Sequence, residues 1–186
     1  MKILWISGSS RDKKTNYMLS TFLESTWKDF EIIKLKDCNI NPCLNCKWCH
    51  KSYKCIQNDD MQKTYQKMEE ADLIVLASPT YFDNVSWVMK TFMDRCLPFY
   101  FSRKLESKKA VYLTLWGFRS LVDLGEDWVC IWCKDWNQCE RTVMRCIDSM
   151  KFFSRHLGME NIGEVFAIHG DPESKREELM ALGKNL

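Results

Sequence analysis

Residues 2–16 read KILWISGSSRDKKTN, in which a short apolar run ends at a glycine and gives way to a polar loop. The apolar run, Lys2–Ser7, is rich in β-branched and aromatic side chains, which predicts a β-strand that ends at Gly8. Beyond the loop, Thr15–Lys28 carries apolar residues at helical spacing. The stretch therefore predicts a strand, a loop and a helix in succession, which is the repeating unit of an α/β protein.

The same alternation continues along the rest of the chain. Further strands are predicted at Phe30–Leu35, Asp72–Ala77, Ala110–Trp116 and Ile162–Ile168. Further helices are predicted after Asn58-Asp59-Asp60, which are good N-cap residues, and at Ser86–Arg95, Trp136–Leu157 and Asp171–Leu182. Five strands that alternate with helices predict a flavodoxin-like, doubly wound, five-stranded parallel sheet of order 2-1-3-4-5, with helices on both faces. We expect a single domain over residues 1–186.

Composition narrows the functional classes. The chain has 186 residues, is 46% hydrophobic and carries a net charge of +2, without a basic stripe or a nucleic-acid-binding motif. The first apolar run begins next to Met1, which leaves no room for a signal peptide, and no apolar stretch reaches membrane-spanning length. We therefore expect a cytoplasmic protein that binds neither nucleic acid nor membrane.

The loop after the first strand has the chemistry of an anion site. Ser9, Ser10 and Thr15 offer hydroxyls, Asn16 offers an amide, and the Arg11 guanidinium suits phosphate oxygens. The next helix would also direct its free N–H groups to this loop. The sequence matches neither the P-loop nor the G-x-G-x-x-G pattern. The alternative is an ordinary strand-to-helix loop in which Thr15 is the N-cap.

The loop after the third strand, residues 78–86, reads SPTYFDNVS. Pro79 stiffens the exit from the strand, and Tyr81 and Phe82 could pack against a flat ring whose polar edge binds backbone amides. The alternative is a turn that covers the end of the sheet. In a sheet of this order both loops meet at the switch point between the first and third strands. Together they predict a phosphate site beside a heterocycle site, as in a mononucleotide such as FMN.

Three stretches, GSSR…TN, SPTYFDNVS and PC-x2-C-x2-C-x5-C…DDM, resemble the flavodoxin-like NAD(P)H-dependent FMN oxidoreductases, which include the iron–sulfur flavoproteins. The resemblance covers Met1 to about Arg95. It implies FMN, with the phosphate near the first loop and the isoalloxazine near the second. Because Ser10 replaces the usual proline of a loop that is one residue longer here, Thr15, Asn16 and Tyr17 are alternatives for one phosphate contact. The candidate cofactor-binding residues are Ser9, Ser10, Arg11, Thr15, Asn16, Tyr17, Pro79, Thr80, Tyr81, Phe82, Asp83 and Asn84.

Between these loops lies a cysteine-rich excursion, residues 38–58, with Cys43, Cys46, Cys49 and Cys55 as candidate metal ligands. Four closely spaced thiolates suit a [4Fe–4S] cluster, and the spacing matches the compact motif of the iron–sulfur flavoproteins. Tetrahedral zinc is an alternative. The third alternative is a loop of partly buried thiols that holds no metal.

The remaining cysteines divide into two groups. Cys139 and Cys146 lie on one apolar helix stripe and are interpreted as small core residues, as is Cys96. Cys130 and Cys133 lie within an aromatic insertion at about residues 117–136 and are candidates for a redox pair or for extra metal ligands. The insertion could stack on nicotinamide or on an aromatic substrate, or it could form the contact of a homodimer.

The leading prediction is an FMN-dependent oxidoreductase that takes hydride from NAD(P)H and passes electrons to a small acceptor or a protein. No catalytic side chain is assigned, because the cofactor would carry the difficult chemistry. The alternative is a non-enzymatic electron-transfer iron–sulfur flavoprotein with a [4Fe–4S] cluster. A third class, a metal-stapled interaction module, would predict zinc and no flavin.

Overall fold

The computed structural model describes residues 1–11, 13–116, 121–123, 128–130, 136–168 and 170–186. The strands, in chain order, are β1 (Ile3–Ser7), β2 (Phe30–Lys34), β3 (Leu73–Pro79), β4 (Lys109–Leu115), β5 (Leu121–Asp123), β6 (Trp128–Cys130) and β7 (Glu160–Ala167). Five of them form a parallel sheet in the order β2-β1-β3-β4-β7, while β5 and β6 pair with each other in antiparallel orientation. Counted within the large sheet alone, this is the order 2-1-3-4-5, so the predicted fold is confirmed.

The helices are α1 (Lys14–Thr26), α2 (Cys49–Ser52), α3 (Met61–Glu70), α4 (Trp87–Arg95), α5 (Leu97–Ser102), α6 (Trp136–His156) and α7 (Arg176–Lys184). Short 3₁₀ helices occupy Leu35–Asp37 and Glu173–Lys175. None of the helices that the structure describes is both long enough and apolar enough to cross a membrane.

Two apolar cores, one on each face of the sheet, hold the layers together. In β1, Leu4 and Ile6 belong to one core and Ile3 and Trp5 to the other, because successive side chains of a strand point to opposite faces. Residues of α3, α4, α5 and α6 complete the first core, and residues of α1 and α7 complete the second. The predicted helical layers on both faces are therefore present.

The predicted elements differ from the observed ones mainly at their ends. Ser86 precedes α4 as its N-cap, and its Oγ accepts a hydrogen bond from the Met89 N–H at 3.3 Å. Asp60 occupies the N-cap of α3 without a side-chain capping bond, whereas Asp59 Oδ1 accepts from the Met61 N–H at 3.1 Å. Thr15 lies inside α1, as the predicted helix requires, so it is not the N-cap that the alternative interpretation of the loop assumes.

Two further differences have physical causes. A second helix, α5, begins directly after α4. The proline at position 98 lies in its first turn, where the missing N–H is tolerated. The last helix begins at Arg176 rather than at Asp171, since a turn and a 3₁₀ helix precede it.

The aromatic insertion is described only in part. Backbone pairing joins Leu121 to Cys130 through β5 and β6. The side chain of Cys130, all of Cys133 and the predicted stacking role of the insertion lie outside the described residues. These predictions, like that of a single domain, stay predictions.

Candidate functional site

The loops after β1 and β3 meet at the carboxyl edge of the sheet. The two strands are neighbours in parallel register, with Ser7 opposite Ala77, and the Gly8 N–H donates to the Ala77 carbonyl at 2.8 Å. On the other side of β3, the Thr80 N–H donates to the Leu115 carbonyl at 2.9 Å, which brings the end of β4 to the same place.

A cavity of about 310 Å³ opens where these three strand ends meet, and we call it the switch-point cavity. Its lining residues are Ser9, Arg11, Lys13, Lys14, Thr15, Pro79, Thr80, Tyr81, Leu115 and Trp116. Six of the twelve predicted cofactor-binding residues are therefore brought together. The other six lie near it without lining it: Ser10, Asn16, Tyr17, Phe82, Asp83 and Asn84. A cofactor role for any of the twelve stays a prediction.

Leu115 and Trp116 were not assigned to the site from the sequence. Their place at the site could have been predicted, because the carboxyl end of every strand next to the switch point faces the same crevice. Trp116 was instead interpreted as the boundary of the aromatic insertion.

Gly8 and Ser86 join the two loops. The Ser86 Oγ donates to the Gly8 carbonyl at 2.7 Å, and the Ser86 N–H donates to Ser78 Oγ at 2.9 Å. A Cβ atom at position 8 would lie 2.8 Å from both Met89 Cβ and Ser86 Oγ. Glycine is therefore required here by the close approach of α4 to the first loop.

The first loop presents positive charge and helix N–H groups to the cavity. Arg11, Lys13 and Lys14 all line it. Lys13 is the N-cap of α1, and its side chain does not accept a hydrogen bond from the N–H groups of the first turn. The hydroxyl of Ser9 donates to the Arg11 carbonyl at 2.8 Å, which shapes the loop. The arrangement suits an anion such as a phosphate.

The second loop contains a tight turn at residues 81–84. Two hydrogen bonds close the turn. The Tyr81 N–H donates to the Asn84 carbonyl at 2.9 Å, and the Asn84 N–H donates to the Tyr81 carbonyl at 3.0 Å. Phe82 and Asp83, at its tip, have φ angles of 46° and 61°. The Phe82 ring is fully exposed, and Asp83 pairs with Arg145 of α6. The turn thus directs Tyr81 to the cavity while its tip lies outside.

A buried polar network supports Thr80 from behind. The hydroxyls of Thr80 and Thr114 are 2.9 Å apart, and Thr114 Oγ1 also lies 2.8 Å from the Ser78 carbonyl oxygen and 3.4 Å from Cys146 Sγ. Burial raises the pKa of the Cys146 thiol, which keeps it protonated. Cys146 is thus a core residue, as predicted. Cys139 is buried as well, but it is disulfide-bonded, which the sequence interpretation did not anticipate.

The four cysteines of the excursion border one small second cavity, of about 20 Å³. Cys43 and Cys46 are exposed, Cys55 is half-buried and Cys49 is buried. Burial raises the pKa of the Cys49 thiol, and charge on the three neighbouring thiols adds to the shift. Within the described ranges, no group of three or more His, Cys, Asp or Glu side chains is arranged to hold a metal ion.

The donor set nevertheless suits a sulfur-ligated centre, because four soft ligands share one cavity. Ligation would require the thiols to move closer together. Residues 39–47 form neither helix nor strand. The ligand role of these cysteines stays a prediction.

A buried ion pair closes the base of the excursion. The two terminal nitrogens of Arg95 donate to the Asp59 carboxylate at 2.6 and 2.9 Å, and one of them also donates to the Asn41 carbonyl at 2.6 Å. Asp59 in turn accepts from the Asn41 N–H at 3.1 Å. Although burial opposes ionisation, these hydrogen bonds hold the pKa of Asp59 below its ordinary value. The sequence does not indicate this ion pair, since nothing in it marks Arg95 as buried.

Comparisons with known proteins agree with this geometry. The model of the family described as NADPH-dependent FMN reductase matches residues 1–122. An iron–sulfur flavoprotein of Archaeoglobus fulgidus is 43% identical over 98 residues, which cover 51% of this chain and 48% of that protein. One of Methanocaldococcus jannaschii is 38% identical over 112 residues, 58% of each chain. The chain spans about half the length of the curated relatives that it matches.

Solved structures show the same fold at low identity. A flavone reductase superposes with a TM-score of 0.70 at 16% identity, covering 100% of this chain and 61% of that one. An apo NADH:FMN oxidoreductase gives 0.62 at 17% identity, covering 99% and 88%. The sheet and its switch-point cavity define a flavodoxin-like α/β protein. With two thirds of its length matched by the family model, the chain belongs to the NADPH-dependent FMN reductase family.

Proposed function

We propose that the chain binds FMN in the switch-point cavity and acts as an oxidoreductase that takes hydride from NAD(P)H and passes electrons to a small acceptor or a protein. The observation that carries the proposal is the meeting of the two loops and the end of β4 around one cavity. Family membership supports FMN as the ligand.

In this proposal the first loop holds the phosphate. Arg11 can donate two parallel hydrogen bonds to phosphate oxygens, while Lys13 and Lys14 add charge without fixed direction. The hydroxyl of Thr15 lies in the first turn of α1, where helix N–H groups favour an anion. The loop would therefore bind the dianion at one end of the cavity.

The opposite end would hold the flavin ring. Pro79, Tyr81, Leu115 and Trp116 present apolar or aromatic surface there, and Thr80 is held in place by Thr114. Bound FMN would supply the hydride chemistry at its ring, so these side chains have to orient the ring and exclude water. This division of labour agrees with the absence of an assigned catalytic side chain.

The first test is FMN binding, measured by quenching of flavin fluorescence during titration of protein purified without oxygen. We expect Arg11→Gln to raise the Kd by about tenfold or more, because a hydrogen bond to a charged group contributes about 1.5–3 kcal/mol. The matched control is Lys28→Gln, which removes an exposed positive charge just beyond the far end of α1. Lack of FMN binding by the unaltered protein would refute the proposal.

The second test concerns the donor. The FMN-loaded protein is mixed anaerobically with NADH or NADPH, and the flavin absorbance is followed in a stopped-flow instrument. Bleaching within seconds would support the reductase proposal. Bleaching only by a reduced protein donor would support the second candidate function.

The second candidate is a non-enzymatic electron-transfer iron–sulfur flavoprotein. It is favoured by the convergence of the four cysteines on one cavity. Cys43, Cys46, Cys49 and Cys55 would hold a [4Fe–4S] cluster, which would supply single-electron transfer. Iron, sulfide and zinc assays on protein purified without oxygen separate cluster, zinc and metal-free thiols. Homodimer formation and a cytoplasmic location stay predictions.

A further inference from the structure

Arg95 lines the same small cavity as the four thiols. It ends α4, its side chain is fully buried, and it lines the cavity together with Asp94, Leu97 and Pro98. The wall of the cysteine cavity therefore contains a buried, permanently charged group, since a guanidinium does not lose its proton in proteins.

The known partners of Arg95 do not use all of its donors. The terminal nitrogens donate to Asp59 and to the Asn41 carbonyl. Three of the five N–H groups are used in this way, and the N–H at Nε is buried without a hydrogen-bond partner among the residues that the structure describes. A buried donor without an acceptor is unfavourable, so an acceptor beside Nε would be stabilising.

The electrostatics of the cavity link Arg95 to the thiols. Burial opposes its charge, but the Asp59 hydrogen bonds and the negative charge of Cys55 raise the pKa of Arg95 above its ordinary value. The carboxylate of Asp94, on the same wall, is paired with Lys90 on the half-exposed outer face of α4. Arg95 is therefore a buried cation that borders the cavity of the thiols and interacts electrostatically with Cys55.

We propose that Arg95 tunes the reduction potential of a sulfur-ligated centre held by the four cysteines, through its charge and its free Nε–H. The inference rests on the cysteine centre of the proposed function. A centre with four thiolates becomes one unit more negative when it accepts one electron. Fixed positive charge and N–H donors near the ligand sulfurs favour that reduced form. Arg95 thus raises the potential, in addition to closing the base of the excursion.

The test separates tuning from support of the fold. Protein is purified without oxygen, iron and sulfide are measured, and the midpoint potential is determined by a dithionite titration followed by electron paramagnetic resonance. Asp59→Asn breaks the clamp but retains the guanidinium. The double variant Arg95→Gln, Asp59→Asn removes both charges. Lys90→Gln is the control, because it removes a half-exposed charge from the same helix.

We expect Asp59→Asn to match or exceed the unaltered potential, since less negative charge then opposes Arg95. We expect the equilibrium constant for reduction of the centre to be at least tenfold smaller in the double variant than in Asp59→Asn. For a one-electron couple, a tenfold change corresponds to a midpoint potential lower by about 59 mV. Lys90→Gln should leave the potential unchanged. Arg95→Lys keeps the charge but loses the Nε–H, so its midpoint potential should lie between those of Asp59→Asn and the double variant.

Equal potentials in Asp59→Asn and the double variant would overturn the inference. Iron binding by Asp59→Asn but by neither variant at position 95 would also overturn it, because Arg95 would then assemble the centre rather than tune it. Absence of iron from the unaltered protein would overturn it as well. FMN binding is measured on the same sample, so the flavin proposal stands or falls separately.

Discussion

The switch-point cavity and the cysteine excursion are built in different ways. Each loop of the cavity follows directly from a parallel strand, and backbone bonds such as that from Gly8 to Ala77 set its position. The excursion has no helix or strand over residues 39–47, and side chains hold its base through Arg95 and Asp59. The cavity therefore depends on the ladder of the sheet, whereas the excursion depends on a few buried side chains.

This difference predicts unequal sensitivity to substitution. A sheet distributes the positioning of a loop over many backbone hydrogen bonds, so no single side chain outside the packed core controls it. Removing one partner of a buried ion pair is strongly destabilising, because the other charge then stays buried without compensation. Four substitutions or conditions measure how far this contrast holds.

The largest expected effect is that of Asp59→Ala. It leaves the Arg95 guanidinium buried without its carboxylate, which should cost about 3–5 kcal/mol in free energy of unfolding. Urea unfolding measures the loss. The matched control is Asp94→Ala, the neighbour on α4 whose half-exposed pair with Lys90 should contribute less than about 1 kcal/mol. A loss for Asp59→Ala as small as that of the control would contradict the contrast.

The same pair gives the excursion an acid sensitivity. Because the pKa of Asp59 in the folded protein is held below its ordinary value of 3.8, its ionised form stabilises the fold at higher pH. That contribution is lost as the pH falls from about the ordinary value through the lowered one. We expect the difference in unfolding free energy between the unaltered protein and Asp59→Asn to shrink over this range. A difference that is independent of pH would exclude the ion pair as its source.

Gly8→Ala tests the cavity. The added Cβ would lie 2.8 Å from Met89 Cβ and Ser86 Oγ, so α4 has to move away from the first loop. We expect a loss of about 1–3 kcal/mol in stability and weaker FMN binding. The exposed Ser20 of α1, changed to alanine, is the control. Unchanged FMN affinity in Gly8→Ala would show that the spacing of the two loops does not govern the cavity.

The smallest expected effect is that of Asp83→Asn. The pair that Asp83 forms with Arg145 is exposed, so its removal should change stability by less than about 1 kcal/mol. FMN affinity should not change either, because Asp83 does not line the cavity. A clear loss of FMN affinity would instead support the sequence-based assignment of Asp83 to the cofactor site.

The fold was predictable because its signal is local. Each strand and helix carries its own apolar pattern, and the chirality of parallel crossovers limits how such elements can be joined. The sequence also indicated which loops border the cavity, since loops after adjacent parallel strands have to meet. Half of the candidate cofactor-binding residues line it. Individual side chains were less predictable. Phe82 is predicted to pack against a flat ring, and the structure shows its side chain exposed at the tip of a turn with positive φ, so its cofactor role stays a prediction.

The sequence alone determined the order of the elements, the two loops at the switch point and the grouping of four cysteines. Only the tertiary structure shows that Leu115 and Trp116 complete the switch-point cavity and that the buried Arg95 lines the cavity of the thiols. The physical reason is range. Periodicity and turn chemistry act between neighbours along the chain, whereas the pairing of Arg95 with Asp59 joins residues 36 positions apart. Such a contact exists only after the sheet has brought its surrounding helices together.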